Sequence, residues 1–333
     1  MNEATSNFPR TAGVPAAPPL SRRPDVMEWC LERLSLSAPS LSRGPDTPWR
    51  ASPPPRSAGV PPAPSECAVL TESQLLTGFR NLGIEPGMTI MAHSSLSAFG
   101  YVEGGAETVI RALLAAAGPD GTLALPTLCQ KDKERRQETW DINTSPSDVG
   151  KITEVFRHWP GAVRSDHFTH SVTALGPRAE ELTSGHATAH GRPSPWGPRA
   201  FGHGSPWDKF YEWNVLYCFL GVNLRVNTMR HYTQCLLTER ALQATGDRRA
   251  ALEAEITGWN HPGVWPWWGG DLEEETLDAQ GLIHHTLIGQ ATCRSIHARP
   301  LVDRILEAIE QEPEKWMGEG YYGWWRRAWD CQI

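Results

Sequence analysis

Apolar residues along this chain fall into short runs and helical stripes separated by glycine and proline. Leu75, Leu76, Phe79 and Leu82 form a stripe that predicts a helix over 70–82. Thr71 and Gln74 have capping-box spacing at its start, and Gly83 stops it. After the turn Ile84-Glu85-Pro86-Gly87, Thr89–Ala92 reads as a buried strand. It ends in a polar loop, His93–Ser97, and Gly100, Gly104 and Gly105 then lead into an apolar helix, Ala106–Ala117. Gly118-Pro119-Asp120-Gly121 ends that helix, and Thr122–Leu125 forms a second buried strand closed by Pro126-Thr127. Strand, helix and strand in so few residues predict a right-handed βαβ unit. Ligands bind such sheets outside the carboxyl ends of the strands, here Ser94-Ser95 and Pro126-Thr127.

The rest of the pattern is less regular. Lys131–Ser147 is polar and reads as a loop. Pro146–Gly150 feeds a helix over 151–158, and Pro160-Gly161 breaks it. Residues 162–176 mix charge with a short β-like end, and Ala179–Thr183 predicts a brief helix. Residues 184–206, rich in Gly, Pro and His, form a long loop, and long loops inside a domain are commonly functional or disordered. Val215–Val222 is a strongly apolar central strand. Asn227-Thr228 precedes a helix to Ala244, and Leu282–Ile296 with a helix over 301–309 complete the domain.

Composition changes the picture at the N-terminus. Half of the 28 prolines lie in residues 1–66, which also carry an imperfect repeat, Ala12–Pro18 and Ala58–Pro64. Only Asp25–Leu36 could form a short helix there, so a Pro-rich, mostly disordered leader is expected, followed by a single domain over 67–333. The leader lacks the continuous apolar core of a secretory signal. No apolar run reaches the ~20 residues that span a bilayer. The chain carries 31 basic and 38 acidic residues, a balance that argues against a nucleic-acid partner and suits a small cationic one. Seven scattered cysteines without a C-x-x-C pair point to reduced thiols in a cytoplasmic setting.

The strand, polar loop, glycines and helix start between Pro86 and Val109 suit a phosphate cradle. Free N–H groups and the helix dipole would face the anion, and glycine admits its close approach. The same residues also suit an ordinary strand-to-helix connection. Arg199–Gly204 fits the R-x-x-G-x-G loop of Gcn5-type acetyltransferases, but no strand precedes it. His167-x-x-His170 with His186 and His190 lacks the cysteines or the helical H-E-x-x-H expected of zinc, so no metal is expected. Gly204-Ser205-Pro206 is no nucleophile elbow. Trp265, Trp267 and Trp268 read as core or as a wall of a substrate cleft, and Arg164 as a loop clamp or an anion ligand.

Seven pieces in order carry a resemblance. They are His93-Ser94-Ser95-Leu96 with Gly100-x-Val102-x-Gly104-Gly105-Ala106; Gly121-Thr122-Leu123 with Pro126-Thr127; Arg164-Ser165-x-His167; Leu182-Thr183-x-x-His186; Gly202-x-Gly204-Ser205-Pro206; Leu220-Gly221-Val222; and Asn227-Thr228-x-x-His231-Tyr232. Together, across about residues 69–300, they resemble the aminoglycoside 3-N-acetyltransferase (antibiotic N-acetyltransferase) family. The resemblance implies a three-layer α/β/α fold around a central mixed sheet. It implies acetyl transfer from acetyl-CoA to an amine, typically on a deoxystreptamine ring, with a homodimer possible. It implies that the loop from Ser94 to Gly105, flanked by His93 and Ala106, holds the cofactor pyrophosphate, and it adds Arg164 and Ser165 to the cofactor site.

An amine at neutral pH is mostly protonated, so a general base must take a proton before it attacks a thioester, and imidazole suits this. The thioester oxygen gains charge and needs a donor facing it. The resemblance puts the base at His186, with Thr228 or a loop N–H as oxyanion donor. The base's usual partner is a glutamate three residues after the histidine of His231-Tyr232, and here that position is Gln234. A neutral amide can hold an imidazole but cannot stabilise imidazolium by charge. The stretch between His186 and Gly202 is also longer than the pattern, inserting His190–Gly197, so His190 is an alternative base. A CoA-binding protein of the same fold with little transferase activity is the competing expectation.

Overall fold

The computed structural model describes residues 69–129, 136–197, 199–243, 245–259, 265–266 and 270–329. The expected leader, residues 1–66, lies outside them.

Helix α1 (Glu72–Asn81) opens the domain under the expected capping box, in which Thr71 and Gln74 each accept from the other's backbone N–H. The βαβ unit follows as strand β1 (Thr89–Ser94), helix α2 (Gly105–Ala117) and strand β2 (Thr122–Pro126), with β1 and β2 parallel. Helix α3 (Lys151–Phe156) leads to strands β3 (Val163–Arg164) and β4 (Val172–Leu175), then to helix α4 (Ala179–Thr183). After the long loop come helix α5 (Pro206–Glu212), strand β5 (Leu216–Leu220) and helix α6 (Met229–Gln243). Helices α7 (Arg249–Gly258) and α8 (Gly270–Asp278) precede a hairpin of β6 (His284–Ile288) and β7 (Ala291–His297). Helices α9 (Ala298–Gln311) and α10 (Glu319–Trp329) close the described chain. Helices α7, α8 and α10 are not predicted from the pattern, since their buried residues are spread among charges.

The sheet order is β3-β4-β2-β1-β5-β7-β6. The three central strands β2, β1 and β5 are parallel, and the flanking strands are antiparallel. This is the mixed sheet of the expected α/β/α architecture. Side chains alternate across a strand. Met91, Ala124, Tyr217 and Phe219 face a core shared with α5, α6, α9 and α10. Ile90, Ala92, Leu123, Leu125, Leu216 and Cys218 face a second core shared with α1, α2 and α3.

The loop after β1 is tied to the sheet from below. Phe99 is 1 % exposed and meets Phe79 of α1 edge-on at 6.4 Å. Ser95 N donates to Leu220 O at the end of β5. Gly221 has φ +68, and a Cβ there would stand 2.4 Å from the Ala98 Cβ, so only glycine lets the two loops touch. Phe99→Ala should cost about 3–5 kcal/mol of unfolding free energy in urea titration, as expected for a fully buried aromatic ring. A loss under 1 kcal/mol would show that the loop does not depend on this core contact.

Candidate active site

Two groups of polar residues stand on opposite faces of the sheet. The first lies at the carboxyl end of β1. Ser94, Ser95, Leu96, Ser97, Gly100, Tyr101, Val102 and Gly105 line a cavity of about 600 Å³, closed on the far side by Val149, Gly150 and Lys151. Gly104 and Gly105 have φ of +74 and +61, a left-handed pair that turns the chain into α2. The Ser94 hydroxyl is buried and has no partner among the described residues. Lys151, exposed at the first position of α3, puts an ammonium at the rim. An orphaned hydroxyl, a glycine wall and a cation suit a diphosphate with a polar tail. Lys151 escapes a reading of the sequence because it is separated from the loop by over forty residues. The glycine before it, Gly150, is the one local sign of a special turn.

Three expected cofactor residues lie elsewhere. Alternation along β1 puts His93 on the face opposite to Ser94. Its Nε2 meets the Tyr217 hydroxyl at 2.9 Å, and its ring stacks on Phe219. The Tyr217 hydroxyl in turn faces the backbone N–H groups of Thr228 and Met229 at the start of α6. Thr228, the expected oxyanion donor, is buried at this point, 6 % exposed. Arg164 is a clamp. Its guanidinium donates to the carbonyls of Thr127 (2.6 Å), Ser145 (2.5 Å) and Ile142 (3.3 Å) and to Ser171 Oγ (3.1 Å). Ser165 lies with the histidines described next. Ala106 packs into the core beneath the cavity, and Gly104 caps α2 beside it.

The second group is an array of imidazoles. His186 is 1 % exposed, and its ring stacks on His167 at 4.7 Å between centroids. His167 lies 6.1 Å from His170, and His170 lies 6.1 Å from His231. His186 Nε2 is 3.3 Å from the Ala200 carbonyl, an acceptor only, so Nε2 carries the hydrogen and Nδ1 accepts from Ser165 Oγ at 2.9 Å. The Ser165 hydroxyl oxygen also accepts from Val172 N. His167 Nδ1 accepts from the backbone N–H groups of Thr169 and His170. Gln234 meets His231, not His186: its Oε1 lies 3.1 Å from His231 Nδ1, and its Nε2 donates to the Pro266 carbonyl. The expectation that Gln234 orients His186 is corrected by this geometry, in which Gln234 follows His231 by three positions on the same face of α6.

A third cluster, absent from the sequence reading, sits beside the array. Arg192 bonds Asp208 at 2.5 Å and Glu239 at 2.7 Å, and all three are almost fully buried. The Tyr232 hydroxyl and Gly204 N donate to Asp208, and His203 Nε2 meets Glu239 Oε1 at 2.7 Å. Burial lowers the Arg192 pKa, but Tyr232, Asp208 and Glu239 more than reverse this, so the guanidinium stays charged. The Gly204 amide is engaged by a carboxylate, which removes it from any phosphate loop at Arg199–Gly204. His190, the alternative base, is exposed and pairs through its carbonyl with His203 N. Trp265 is a core residue whose indole donates to the Trp259 carbonyl, while Trp267 and Trp268 lie outside the described residues.

The profile of the family described as aminoglycoside 3-N-acetyltransferase matches residues 91–310. The chain belongs to this family. It is 35% identical over 184 residues to aminoglycoside N(3)-acetyltransferase III of a Salmonella species, a match covering 50% of this chain and 60% of that protein. The chain thus spans less than two thirds of that relative's length. The fold is similar to the apoenzyme structure of aminoglycoside acetyltransferase AAC(3)-IVa, with a TM-score of 0.59 and 24% identity over 79% of this chain and all of that one. It is also similar to AAC-IIIb in binary complex with CoASH, with a TM-score of 0.56 and 21% identity over 75% of this chain and 98% of that one.

Burial governs the titration of the array. It lowers the pKa of His93 to about 3, of His167 to about 4 and of His231 to about 3, and it holds His186 well below its ordinary value. In the unfolded chain all four titrate near 6.5. Their folded values lie below the unfolded one, so their contribution to stability is complete above about pH 6.5 and is lost as pH falls toward 4 and 3. Each adds a slope of about 1.4 kcal/mol per pH unit inside that window. Unfolding free energy from urea titrations should therefore drop steeply between pH 6.5 and 5, with three to four protons taken up on unfolding. A flat profile over that range would mean that the imidazoles protonate in the native state.

Proposed function

We propose that the protein is an acetyl-CoA-dependent N-acetyltransferase that acetylates an amino group of an aminoglycoside, or of a related small cationic amine. The observation that supports this most is the cavity at the end of β1, where Ser94, the glycines and Lys151 present an anion-binding wall in a chain of this family. Acetyl-CoA supplies the acyl group as cosubstrate, and the residues that would hold its phosphates are those of the Ser94–Gly105 loop together with Lys151.

The chain's own contribution to the chemistry is a set of imidazoles kept neutral by burial. A neutral imidazole can accept a proton from an ammonium group, whereas an imidazolium would repel it. His186 is the proposed proton acceptor, and it would act through the Nδ1 edge where the Ser165 hydroxyl donates. Ser165 therefore belongs to the proton path rather than to the cofactor site. Gln234 is proposed as a positioning residue for His231, holding the Nδ1–H tautomer through an amide fixed by Pro266. His93 and Tyr217 set the start of α6, on which His231 and Gln234 ride.

The experiment is a thiol-release assay on the full-length protein with acetyl-CoA and a panel of aminoglycosides and simple amines. CoA release should require an amine. His186→Ala should lower kcat by about 10²–10⁴, the range of general-base contributions. Lys151→Ala should raise the KM for acetyl-CoA several-fold with little change in kcat. Clear CoA binding without release in the presence of any amine would favour a CoA-binding protein without transferase activity. Full activity in His186→Ala would remove His186 from the mechanism.

A further inference from the structure

The segment 190–197, which lengthens the loop after His186, is laid along α6 in register. Arg192 bonds Glu239, the Ser194 side chain faces the Cys235 thiol, and the Trp196 indole lies 4.0 Å from His231 between ring centroids. Every second residue of the segment meets every fourth residue of the helix. Pro193 and Pro195 are buried between the contacts, and residues Ser194 to Gly197 close as a turn in which Gly197 N donates to Ser194 O. The strip runs antiparallel to α6 and delivers its tryptophan to the first turn of the helix. There the indole also packs against His170 at 5.3 Å and Phe201 at 5.6 Å.

The anchor of the strip consumes the local negative charge. Asp208 and Glu239 are buried carboxylates beside the imidazole array, and the Arg192 guanidinium lies between them, 4.9 Å from the Tyr232 ring and 3.2 Å from the Phe201 carbonyl. Two carboxylates, an aromatic face and a carbonyl are the features that would hold an ammonium of a polycation. Here the chain's own arginine holds that position. This side of the array is thus covered by an indole, and the two buried carboxylates beside it are both paired.

We infer that the 190–197 strip sets acceptor specificity, with Trp196 as the residue that favours a single-ring or slender amine over a larger polycation and Arg192 as its anchor. This rests on the acetyltransferase reading for the identity of the acceptor side.

The test is calorimetric titration of the CoA-loaded full-length protein with two probes, 2-deoxystreptamine and gentamicin. Wild type, Trp196→Ala and Trp196→Phe are compared, each checked for an unchanged thermal melt. Trp196→Ala should shift the ratio of affinities toward gentamicin at least tenfold, with Trp196→Phe between it and wild type. Should Trp196→Ala fail to fold, Trp196→Phe keeps a ring in the core and carries the test with a smaller shift. A ratio within twofold of wild type, weaker gentamicin binding in Trp196→Ala, or no binding of either probe by any of the three proteins overturns the inference. Acetyl transfer by wild type to any amine is measured separately, so loss of the acetyltransferase reading is told apart from loss of the strip's role.

Discussion

The alternation of side chains along β1 and β5 is the constraint on which the rest depends. Successive residues of a strand must face opposite layers. His93 and Ser94 are neighbours in sequence, yet one faces Tyr217 and Phe219 and the other opens into the cavity beneath α2 and α3. A parallel centre brings the carboxyl ends of β1, β2 and β5 to one edge, where loops from both layers meet. The cavity lined by Ser94, the loop glycines and Lys151 is built on one side of that edge and the imidazole array on the other. Tyr217 links the array to the sheet, because its hydroxyl takes His93 from one direction and the start of α6 from the other.

Burial then decides the chemistry of the array. Imidazoles packed against each other and against Trp196, Phe201 and Trp207 lose the stabilisation that water gives their charged form. They remain neutral where an exposed histidine would be half protonated. The adjacent cluster shows the opposite outcome. Arg192 is equally buried but stays charged, since Asp208 and Glu239 bond it directly. Buried charge is tolerated when paired, and the pairing here fixes the long loop to α5 and α6.

Much of this was legible in the sequence, for reasons that can be named. Thr71, Gln74 and the stripe of α1, and the strand-loop-glycine-helix run from Thr89, are local signals, and local signals survive folding. The family motifs located the cavity residues because loop glycines and serines leave a spaced pattern. What escaped is long-range. Lys151 joins the cavity from another helix, and Arg192 finds Asp208 and Glu239 across 16 and 47 residues. The motif groups His93 with the cofactor loop, but the pleat turns its side chain to Tyr217 and Phe219. Gln234 was matched to His186 by motif, whereas helical spacing gives it to His231. Helix α10 hides its buried face, Tyr321, Trp324, Trp325 and Ala328, among arginines and glycines.

The most direct measurement is amide hydrogen exchange of the full-length protein with and without CoA. The two-face arrangement predicts slowed exchange in residues 94–105 and 149–151 on CoA addition, with His186 and its neighbours already protected without it. Protection confined to residues 199–206, or to the imidazole face alone, would contradict the assignment of the cofactor to the cavity at the end of β1.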